Sequence, residues 1–481
     1  METRIMWSVI GLGIVTLFII FITHWFYKWN NPKCNGVLPP GFMGFPLVGE
    51  TLQFIMPSRS IDIHPFIKTR IQRYGAVFRT SLVGRPLVVS ADPEFNSFIF
   101  QQEGNAVEMW YLDSFSQIFD LDGESRFNSV GCIHKYVRSK VLNQFGPESL
   151  KETLLPQLEK MVHKTLSIWP SQASIEVKQA TATMVFDFTA KQMFGHDYEK
   201  SLEQISDTFA NFLQGLISFP LNIPGTTFHK CMKDKKKILY MINNMLKDKL
   251  TSTAETCQGD FLDQAIKDLS SEKFLTEDFI VLLSFGTLFA SVESLSTTLT
   301  LAFKLLSENP SVVDELRAEH ETIIKNRDIS DSALTWDEYK SMTFTLQVID
   351  EINRLANVIP GFLRRTLKDI QVNGYTIPAG WMIMVITSAL HLDPNTFKDP
   401  LAFNPWRWKG MDSIVISKNF MPFGGGLRQC AGAAYAKVFM ATFLHVLVTK
   451  YRWTKIKGGD VVRAPILGFG DGIQIKVWEK A

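Results

Sequence analysis

The sequence predicts a mainly helical domain with a small β-sheet region, placed behind a single N-terminal transmembrane helix. Three observations predict this fold class. An apolar run from Met6 to Tyr27 contains no acidic residue, lysine or arginine. From about Pro93 to Leu306, apolar residues recur mostly at helical spacing. Short strand-like runs flank that helical part, as "AVFRTSL" with "RPLVVS" and as "FLRRTLKDIQVNGYTIPAGWMIMV".

The apolar run is interpreted as a retained membrane anchor. Its length matches the ~20 apolar residues that span a bilayer, and tryptophans stand near both of its ends. A cleaved signal peptide is the alternative, but its apolar region is shorter and a small-residue cleavage site follows it. Here Lys28 and a proline-rich run follow instead. The sequence therefore predicts an anchor over residues 1–30, a proline-rich hinge over 31–50 and one further domain over 51–481.

Composition and charge exclude several classes of protein. The 481 residues are 46% hydrophobic and 20% charged, which is enough for a sizeable core. A net charge of +2 gives no reason to expect a nucleic-acid partner. Five cysteines at irregular spacing, with no CxxC pair, indicate neither a disulfide framework nor a zinc site. A reducing compartment fits this cysteine usage.

The individual elements follow from local signals. The first pair of strands flanks a glycine, as in a hairpin. The clearest helix begins after Thr276, an N-cap followed by two acidic residues, and stops before an Asn-Pro pair at 309–310. It is apolar nearly all round, so we expect it at the centre of the domain. A further helix is predicted from about Trp336 to Val358, and an apolar helix follows the loop "FGGGLRQCAG".

That loop, residues 423–432, has four interpretations. A phosphate loop carries a lysine that is missing here, and zinc needs further ligands close to Cys430. A plain glycine turn before a helix is the structural alternative. The fourth is a haem site, in which the helix N-terminus stabilises a Cys430 thiolate. In that site Arg428 would bind a haem carboxylate, Phe423 would shield the ligand, and Gly424 would let the backbone approach the macrocycle.

The same loop resembles the FxxGxRxCxG haem signature of the cytochrome P450 monooxygenases. The resemblance implies a cytochrome P450 fold, with haem b as cofactor and Cys430 as the axial iron ligand. It also implies that residues 51–481 form a haem-thiolate catalytic domain. The other loop residues that it assigns to cofactor binding are Phe423, Gly424, Arg428 and Gly432.

Two further segments resemble the structural ion network of this family. Glu351 and Arg354 resemble its ExxR motif, and their i, i+3 spacing puts both side chains on one helix face. The segment "FNPWRW" resembles the partner segment, with Arg407 as its arginine. The resemblance implies that the three residues hold the ligand loop in place and take no part in the chemistry. A solvated surface pair is the alternative for Glu351 and Arg354.

The long central helix resembles the helix that passes over the haem in this family. Residues 290–294 resemble its [AG]Gx[DE]T motif, although serine replaces the usual glycine at 291 and the usual threonine at 294. The resemblance implies that Glu293 and Ser294 are catalytic residues that deliver protons during dioxygen activation. Ordinary polar residues of a buried helix are the alternative.

Further positive partners for the haem carboxylates are implied by the resemblance. Arg364, in the strand after the ExxR motif, and Arg138, in "HKYVR", match arginines of the family. His134 stands where tryptophan is usual and is also assigned to cofactor binding.

The segments "FNPWRWKG", "VTKYRW" and "YTIPAGW" resemble sequences of the plant microsomal branch of the family, which acts on sterols, brassinosteroids and triterpenes. The resemblance implies hydroxylation of an apolar sterol or tetracyclic triterpenoid with oxygen from O2, repeated where a sterol side chain is cleaved. Electrons would come from NADPH through NADPH–cytochrome P450 reductase. The protein would sit in the endoplasmic reticulum membrane, with its catalytic domain facing the cytosol. An O2-independent isomerase or lyase of oxygenated lipids and a non-catalytic membrane haem-binding protein are the alternatives.

An apolar substrate needs an apolar pocket. By the sequence pattern alone, each candidate for its lining is equally well an ordinary core residue. The candidates that the resemblance implies, by their positions in the family, are Trp110, Phe115, Phe119, Phe212, Leu216, Phe219, Phe289, Ala290, Val358, Ile359 and Leu467.

Overall fold

In the part of the chain that the structure describes, helices form most of the regular structure and the strands form four small sheets. The predicted mainly helical fold with a small β-sheet region is therefore confirmed. The structure is a computed structural model that describes residues 2–111, 131–195, 199–216, 221–251, 259–329 and 332–480.

The described ranges contain eighteen α-helices, and a π-helical segment (Leu150–Leu154) lies between the sixth and the seventh. In order they are α1 (Glu2–Asn30), α2 (Thr51–Ile55), α3 (Pro65–Tyr74), α4 (Pro93–Gln101), α5 (Cys132–Phe145), α6 (Pro147–Ser149), α7 (Leu155–Ile168), α8 (Val177–Phe194), α9 (Glu199–Leu216), α10 (Thr227–Thr251), α11 (Phe261–Asp268), α12 (Glu277–Glu308), α13 (Pro310–Lys325), α14 (Trp336–Ser341), α15 (Thr343–Ala356), α16 (Thr387–His391), α17 (Ser413–Asn419) and α18 (Ala433–Lys450).

The largest sheet has five strands in the order β1-β2-β8-β5-β3, and β4-β12-β9, β6-β7 and β10-β11 form the others. The strands are β1 (Val77–Leu82), β2 (Arg85–Ser90), β3 (Val107–Met109), β4 (Ile175–Glu176), β5 (Phe362–Thr366), β6 (Ile370–Val372), β7 (Tyr375–Ile377), β8 (Met382–Val385), β9 (Tyr451–Gly458), β10 (Val462–Arg463), β11 (Leu467–Gly468) and β12 (Ile473–Glu479).

The predicted hairpin is confirmed, because β1 and β2 pair antiparallel. Their pairing runs from Val77 opposite Ser90 to Leu82 opposite Arg85 at the turn. Its two turn residues, Val83 and Gly84, have φ values of 52° and 70°, as a tight hairpin turn requires. A Cβ at Gly84 would lie 2.7 Å from the carbonyl oxygen of Leu47. Glycine is therefore required here by the backbone conformation and by the close approach of the preceding loop.

The central helix α12 begins and ends where the sequence predicts. The Thr276 hydroxyl accepts a hydrogen bond from the Phe279 amide at 3.2 Å, and the helix stops at Glu308, just before Asn309. Its 32 residues rise ~48 Å. Among the described helices, α1 and α12 are long and apolar enough to cross a membrane; the apolar window of α12 is 61% buried and that of α1 is 0% buried. Helix α12 is therefore core, whereas α1 exposes its apolar side chains.

The prediction of a single helix from Trp336 to Val358 is wrong, because the structure has two helices there, α14 and α15. The carboxylate of Glu319, on α13, accepts hydrogen bonds from the amides of Phe344 and Thr345 at 2.6 and 2.9 Å. A side chain from another helix thus caps a new N-terminus and favours a restart of the helix.

The end of α1 is fastened to the segment that follows it. Asn30 accepts a hydrogen bond from the Met43 amide at 3.2 Å through its side chain, and Arg79, on β1, donates to its backbone carbonyl at 3.4 Å. The Trp29 indole donates to the Met43 carbonyl at 3.3 Å. These contacts join α1 to the five-stranded sheet.

Candidate functional site

The loop at 423–432 holds Cys430 close to the start of α18. The Cys430 amide donates to the Phe423 carbonyl at 2.9 Å, which closes the loop on itself. Burial raises the pKa of the Cys430 thiol, while a hydrogen bond from Gly432 and the charge of Arg138 act in the opposite direction. The Cys430 residue is nevertheless accessible to solvent. A thiol that is accessible and yet surrounded by the chain lines a space inside the protein.

The glycines of this loop have two different surroundings. A Cβ at Gly425 would lie 2.9 Å from the Phe100 ring, and one at Gly426 only 2.3 Å from the Phe100 carbonyl oxygen. At Gly424, where φ is 70°, it would lie 3.0 Å from the Phe362 ring. These three glycines therefore let the loop pack against α4 and β5. At Gly432 the nearest heavy atom is Cys430 Sγ, at 3.8 Å, so this position borders the same space as the thiol.

Helix α12 has a narrow accessible stripe in its otherwise buried middle. Ala290 and Ser294 are exposed, whereas Val292 and Leu295 are buried. Residues four apart lie on the same helix face, so the stripe also borders a space inside the domain.

The structure gives the two predicted proton-transfer residues separate partners. Glu293 forms an ion pair with Lys178, on α8, at 2.8 Å, and accepts a long hydrogen bond from Thr297 at 3.4 Å. The Ser294 hydroxyl donates to the backbone carbonyl of Ala290 at 2.5 Å. The carboxylate is therefore held toward α8, and the hydroxyl is held against its own helix.

The predicted three-residue network is assembled in the core. Arg354 and Glu351 are both 0% exposed and form a bidentate pair at 2.8 and 2.9 Å. Arg407 joins Glu351 at 3.0 Å, and the Trp408 indole donates to the same carboxylate at 3.1 Å. The complete burial rules out a solvated surface pair. Each carboxylate oxygen of Glu351 is thus occupied by more than one donor.

His391 connects this network to the cysteine loop, and no sequence motif marked it. Its backbone carbonyl accepts from Arg354 at 2.8 Å, its Nε2 accepts from the Met421 amide at 2.9 Å, and its Nδ1 lies 2.7 Å from Asn357 Oδ1. Burial and the charge of Arg354 lower the pKa of His391 to about 3. The ring is therefore neutral, and the donor set assigns its proton to Nδ1. Met421 stands just before the loop at 423–432.

Replacing His391 with phenylalanine is expected to destabilise the fold by a few kcal/mol, because the Met421 amide and the Asn357 side chain lose a buried partner each. The pH dependence of the free energy of unfolding should also change. The pKa of His391 is lowered in the folded protein, so its neutral ring stabilises the fold above the ordinary histidine pKa of about 6.5, and this contribution falls as the pH drops toward 3.

Urea denaturation of the parent and of His391→Phe, at pH 7.5 and at pH 5.5, checks both effects. The variant should lose less stability than the parent between the two pH values. An equal loss in both proteins would contradict the assignment of a neutral buried His391.

Two of the predicted cofactor-binding residues lie on α5. Arg138 donates to the backbone carbonyl of Gln429, in the cysteine loop, at 2.5 Å. Burial lowers the pKa of His134, and the charges of Arg428 and Arg138 lower it further. Helix α5 therefore brings both residues to the loop that holds Cys430.

The other two predicted arginines meet at one carboxylate. Arg364, on β5, and Arg428, in the cysteine loop, lie 2.6 and 3.2 Å from the carboxylate oxygens of Glu103. Glu103 is buried just after α4, and no motif marked it, since a single glutamate in "QQEGN" carries no pattern. Burial lowers the pKa of Arg364, and the charge of Glu103 opposes that shift.

The candidate pocket residues fall into two groups. Trp110, Phe212 and Leu467 are buried in hydrophobic clusters, and the Phe212 ring lies 6.1 Å from that of Phe289. Phe289 and Val358 are partly buried, while Ile359 is 43% exposed and Ala290 is exposed. The Leu467 amide donates to the Val358 carbonyl at 3.4 Å. Phe115, Phe119, Phe219 and the side chain of Leu216 lie outside the described residues.

Comparison with known proteins agrees with this geometry. Residues 39–470 match the family model of cytochrome P450. A β-amyrin 16α-hydroxylase of Maesa lanceolata is 58% identical over 477 residues, which cover 99% of this chain and 100% of the relative. A cucurbitadienol 11-hydroxylase of Siraitia grosvenorii is 55% identical over 475 residues, with 99% and 100% covered.

A solved structure extends the comparison to three dimensions. The cyanobacterial CYP120A1 with bound retinoic acid superimposes with a TM-score of 0.81 at 26% identity, over 93% of this chain and 100% of that one. The chain belongs to the cytochrome P450 family and is a monooxygenase, and membership of this family implies a haem cofactor.

Proposed function

We propose that this protein hydroxylates the carbon skeleton of a triterpenoid or sterol, with its haem held by Cys430 and its electrons supplied by NADPH–cytochrome P450 reductase. The observation that carries the proposal is the placement of Cys430. The thiol is accessible although burial raises its pKa. Arg138 fastens its loop to α5, and His391 fastens Met421, just before the loop, to the core.

The residues present fit haem b, iron protoporphyrin IX. One thiol near a helix N-terminus matches a single axial thiolate ligand, and Arg138, Arg364 and Arg428 match two carboxylates that need positive partners. His134 lies close enough to Arg138 and Arg428 for their charges to lower its pKa, and Phe423 and Gly432 lie next to Cys430. When bound, a thiolate-ligated haem supplies the oxidising power for C–H hydroxylation.

Glu293 and Ser294 are proposed to move protons toward the reaction space. Ser294 is exposed at the accessible stripe of α12, and Glu293, the residue before it, pairs with Lys178. In this proposal the Glu293 carboxylate releases Lys178, takes up a proton from solvent and passes it through the Ser294 hydroxyl to the reaction space.

The Glu293→Gln variant is expected to form product about a hundredfold more slowly, the lower end of what a positioned acid or base contributes. NADPH oxidation should continue and become uncoupled from product. Parallel assays of NADPH consumption and of product check this, and Ser291→Ala is the control, because the Ser291 hydroxyl donates to the Leu288 carbonyl of its own helix. Normal coupling in Glu293→Gln would remove Glu293 from the proton path.

The substrate class rests on the relatives and on the pocket. The names of the two plant relatives state that they hydroxylate β-amyrin and cucurbitadienol. The partly buried or exposed candidates Phe289, Ala290, Val358 and Ile359 are all apolar, as a polycyclic hydrocarbon skeleton requires. We therefore propose a polycyclic triterpenoid first and a sterol second, with repeated oxidation at a sterol side chain as the way to cleave it.

The protein is proposed to be anchored by α1 in the endoplasmic reticulum membrane, with the domain over 51–481 in the cytosol. The side chains along α1 are exposed and apolar, so a bilayer stabilises them. Lys135 and Lys418 are exposed near the cysteine loop and are proposed to meet the acidic surface of the reductase. Lys437 pairs with Asp350 at 2.7 Å and is less available for that contact.

The test uses membranes that carry the full chain and a plant reductase. NADPH is supplied with β-amyrin, a tetracyclic triterpene, a plant sterol or cholesterol, and products are identified by mass. A triterpene product one oxygen atom heavier supports the proposal, and a steroid without its side chain would assign the sterol reaction instead. If all four substrates return unchanged from protein with a normal carbon monoxide spectrum, the proposed substrate class is wrong.

A further inference from the structure

Glu103 is a buried acid between two arginines that come from different parts of the chain. Its side chain is 1% exposed, and those of Arg364 and Arg428 are 4% and 6% exposed. Arg364 Nε lies 2.6 Å from one carboxylate oxygen and Arg428 Nε lies 3.2 Å from the other. The Met109 amide donates to the second oxygen at 3.2 Å. One carboxylate therefore ties β5, the cysteine loop and β3 together.

The end of α4 also contacts Arg364. The Arg364 guanidinium lies 5.6 Å from the centre of the Phe100 ring, within the range of a cation–π contact. Phe100 is at the end of α4, three residues before Glu103, and its carbonyl and ring are the atoms that Gly426 and Gly425 approach. The end of α4 thus fixes the arginine and the cysteine loop at once.

A buried carboxylate in this place has an electrostatic reason. The charge of Arg428 lowers the pKa of Arg364, and the charge of Glu103 raises it, so the two guanidinium groups repel each other and Glu103 attracts both. Without the carboxylate, the two side chains would separate and lose the spacing that two carboxylates of one cofactor require.

We propose that Glu103 is a positioning residue that holds Arg364 and Arg428 at the spacing needed to bind the haem carboxylates, and that its charge also lowers the reduction potential of the haem iron. The proposal rests on the proposed haem site of Cys430. A buried negative charge beside the groups that would bind haem stabilises the ferric form over the ferrous form, because the ferric form carries one more positive charge. Position and charge are therefore two separable contributions of one side chain.

The test compares Glu103→Gln and Glu103→Asp with the parent, as full-length haem protein without substrate. Haem loss from the ferric protein is followed by transfer to an excess of apomyoglobin, and the reduction potential is measured by spectroelectrochemistry. Glu103→Gln should lose haem about tenfold faster, the effect of one charge-assisted hydrogen bond, and its potential should rise. Glu103→Asp keeps the charge but is one methylene shorter, so it should lose haem faster at nearly the parental potential.

Glu108→Gln is the matched control. Glu108 lies on the neighbouring β3 strand and pairs with Arg365, the residue after Arg364, but this pair is exposed. The control should keep the parental haem loss and the parental potential.

The outcomes separate the two parts of the proposal. Slower or equal haem loss from Glu103→Gln overturns the positioning role, because charge alone would make the arginines more available to haem. An unchanged potential in Glu103→Gln overturns the electrostatic role. If Glu103→Gln does not fold, Glu103→Asp decides the positioning role by its rate of haem loss. A parent protein that binds no haem overturns the proposed function, and this role of Glu103 with it.

Discussion

The Cys430→Ser variant is expected to form no oxygenated product and to lack the thiolate–haem absorption of the reduced, carbon monoxide-bound protein. A serine hydroxyl stays protonated at neutral pH and does not supply the anionic ligand that a cysteine supplies near a helix N-terminus. Burial raises the pKa of the Cys430 thiol, although the hydrogen bond from Gly432 and the charge of Arg138 oppose this shift, so the thiolate depends on the cation that it would bind. Absorption spectra and product analysis by mass measure the two losses.

Cys132→Ser is the control for this substitution. Cys132 is exposed at the start of α5, and its replacement should leave the absorption and the product yield as in the parent. A thiolate–haem band that persists in Cys430→Ser would contradict the assignment of the iron ligand.

The Arg354→Ala variant is expected to lose about 3–5 kcal/mol of stability, the usual cost of removing one partner from a buried ion pair. Arg354 donates to Glu351 and to the backbone carbonyls of His391, Pro400 and Ala402. All four partners are thus affected by one truncation. Urea denaturation, followed by circular dichroism, measures the change in the free energy of unfolding.

Arg365→Ala provides the comparison, because Arg365 and its partner Glu108 are 48% and 22% exposed. An exposed pair of this kind contributes about 0–1 kcal/mol. Similar losses in Arg354→Ala and Arg365→Ala would mean that the ExxR pair is not a central support of the fold.

Elements with local signals were predictable from the sequence. The start of α12 follows from the Thr276 cap, and the β1–β2 turn follows from a glycine between two strand-like runs. The residues of the cysteine loop are contiguous, so a family pattern of fixed spacing identifies them without knowledge of the fold.

Features that depend on distant side chains were not predictable in this way. The break between α14 and α15 comes from Glu319, which is 25 residues before Phe344. Glu103 and His391 act on residues that are far along the chain, Arg428 and Met421. Neither residue belongs to a local pattern, because its partner is chosen by the tertiary fold. Single buried polar residues of this kind are visible only once the chain is folded.

The junction between α1 and the sheet has a consequence for the whole molecule. Asn30 is hydrogen-bonded to Met43 and to Arg79, and the Phe26 ring lies 6.5 and 6.2 Å from those of Phe42 and Phe45. A helix fastened in this way does not swivel independently of the domain. A thinner bilayer makes a spanning helix tilt, and here the tilt would be passed on to the domain as a rotation. Lipid thickness would then determine which surface of the domain faces the membrane.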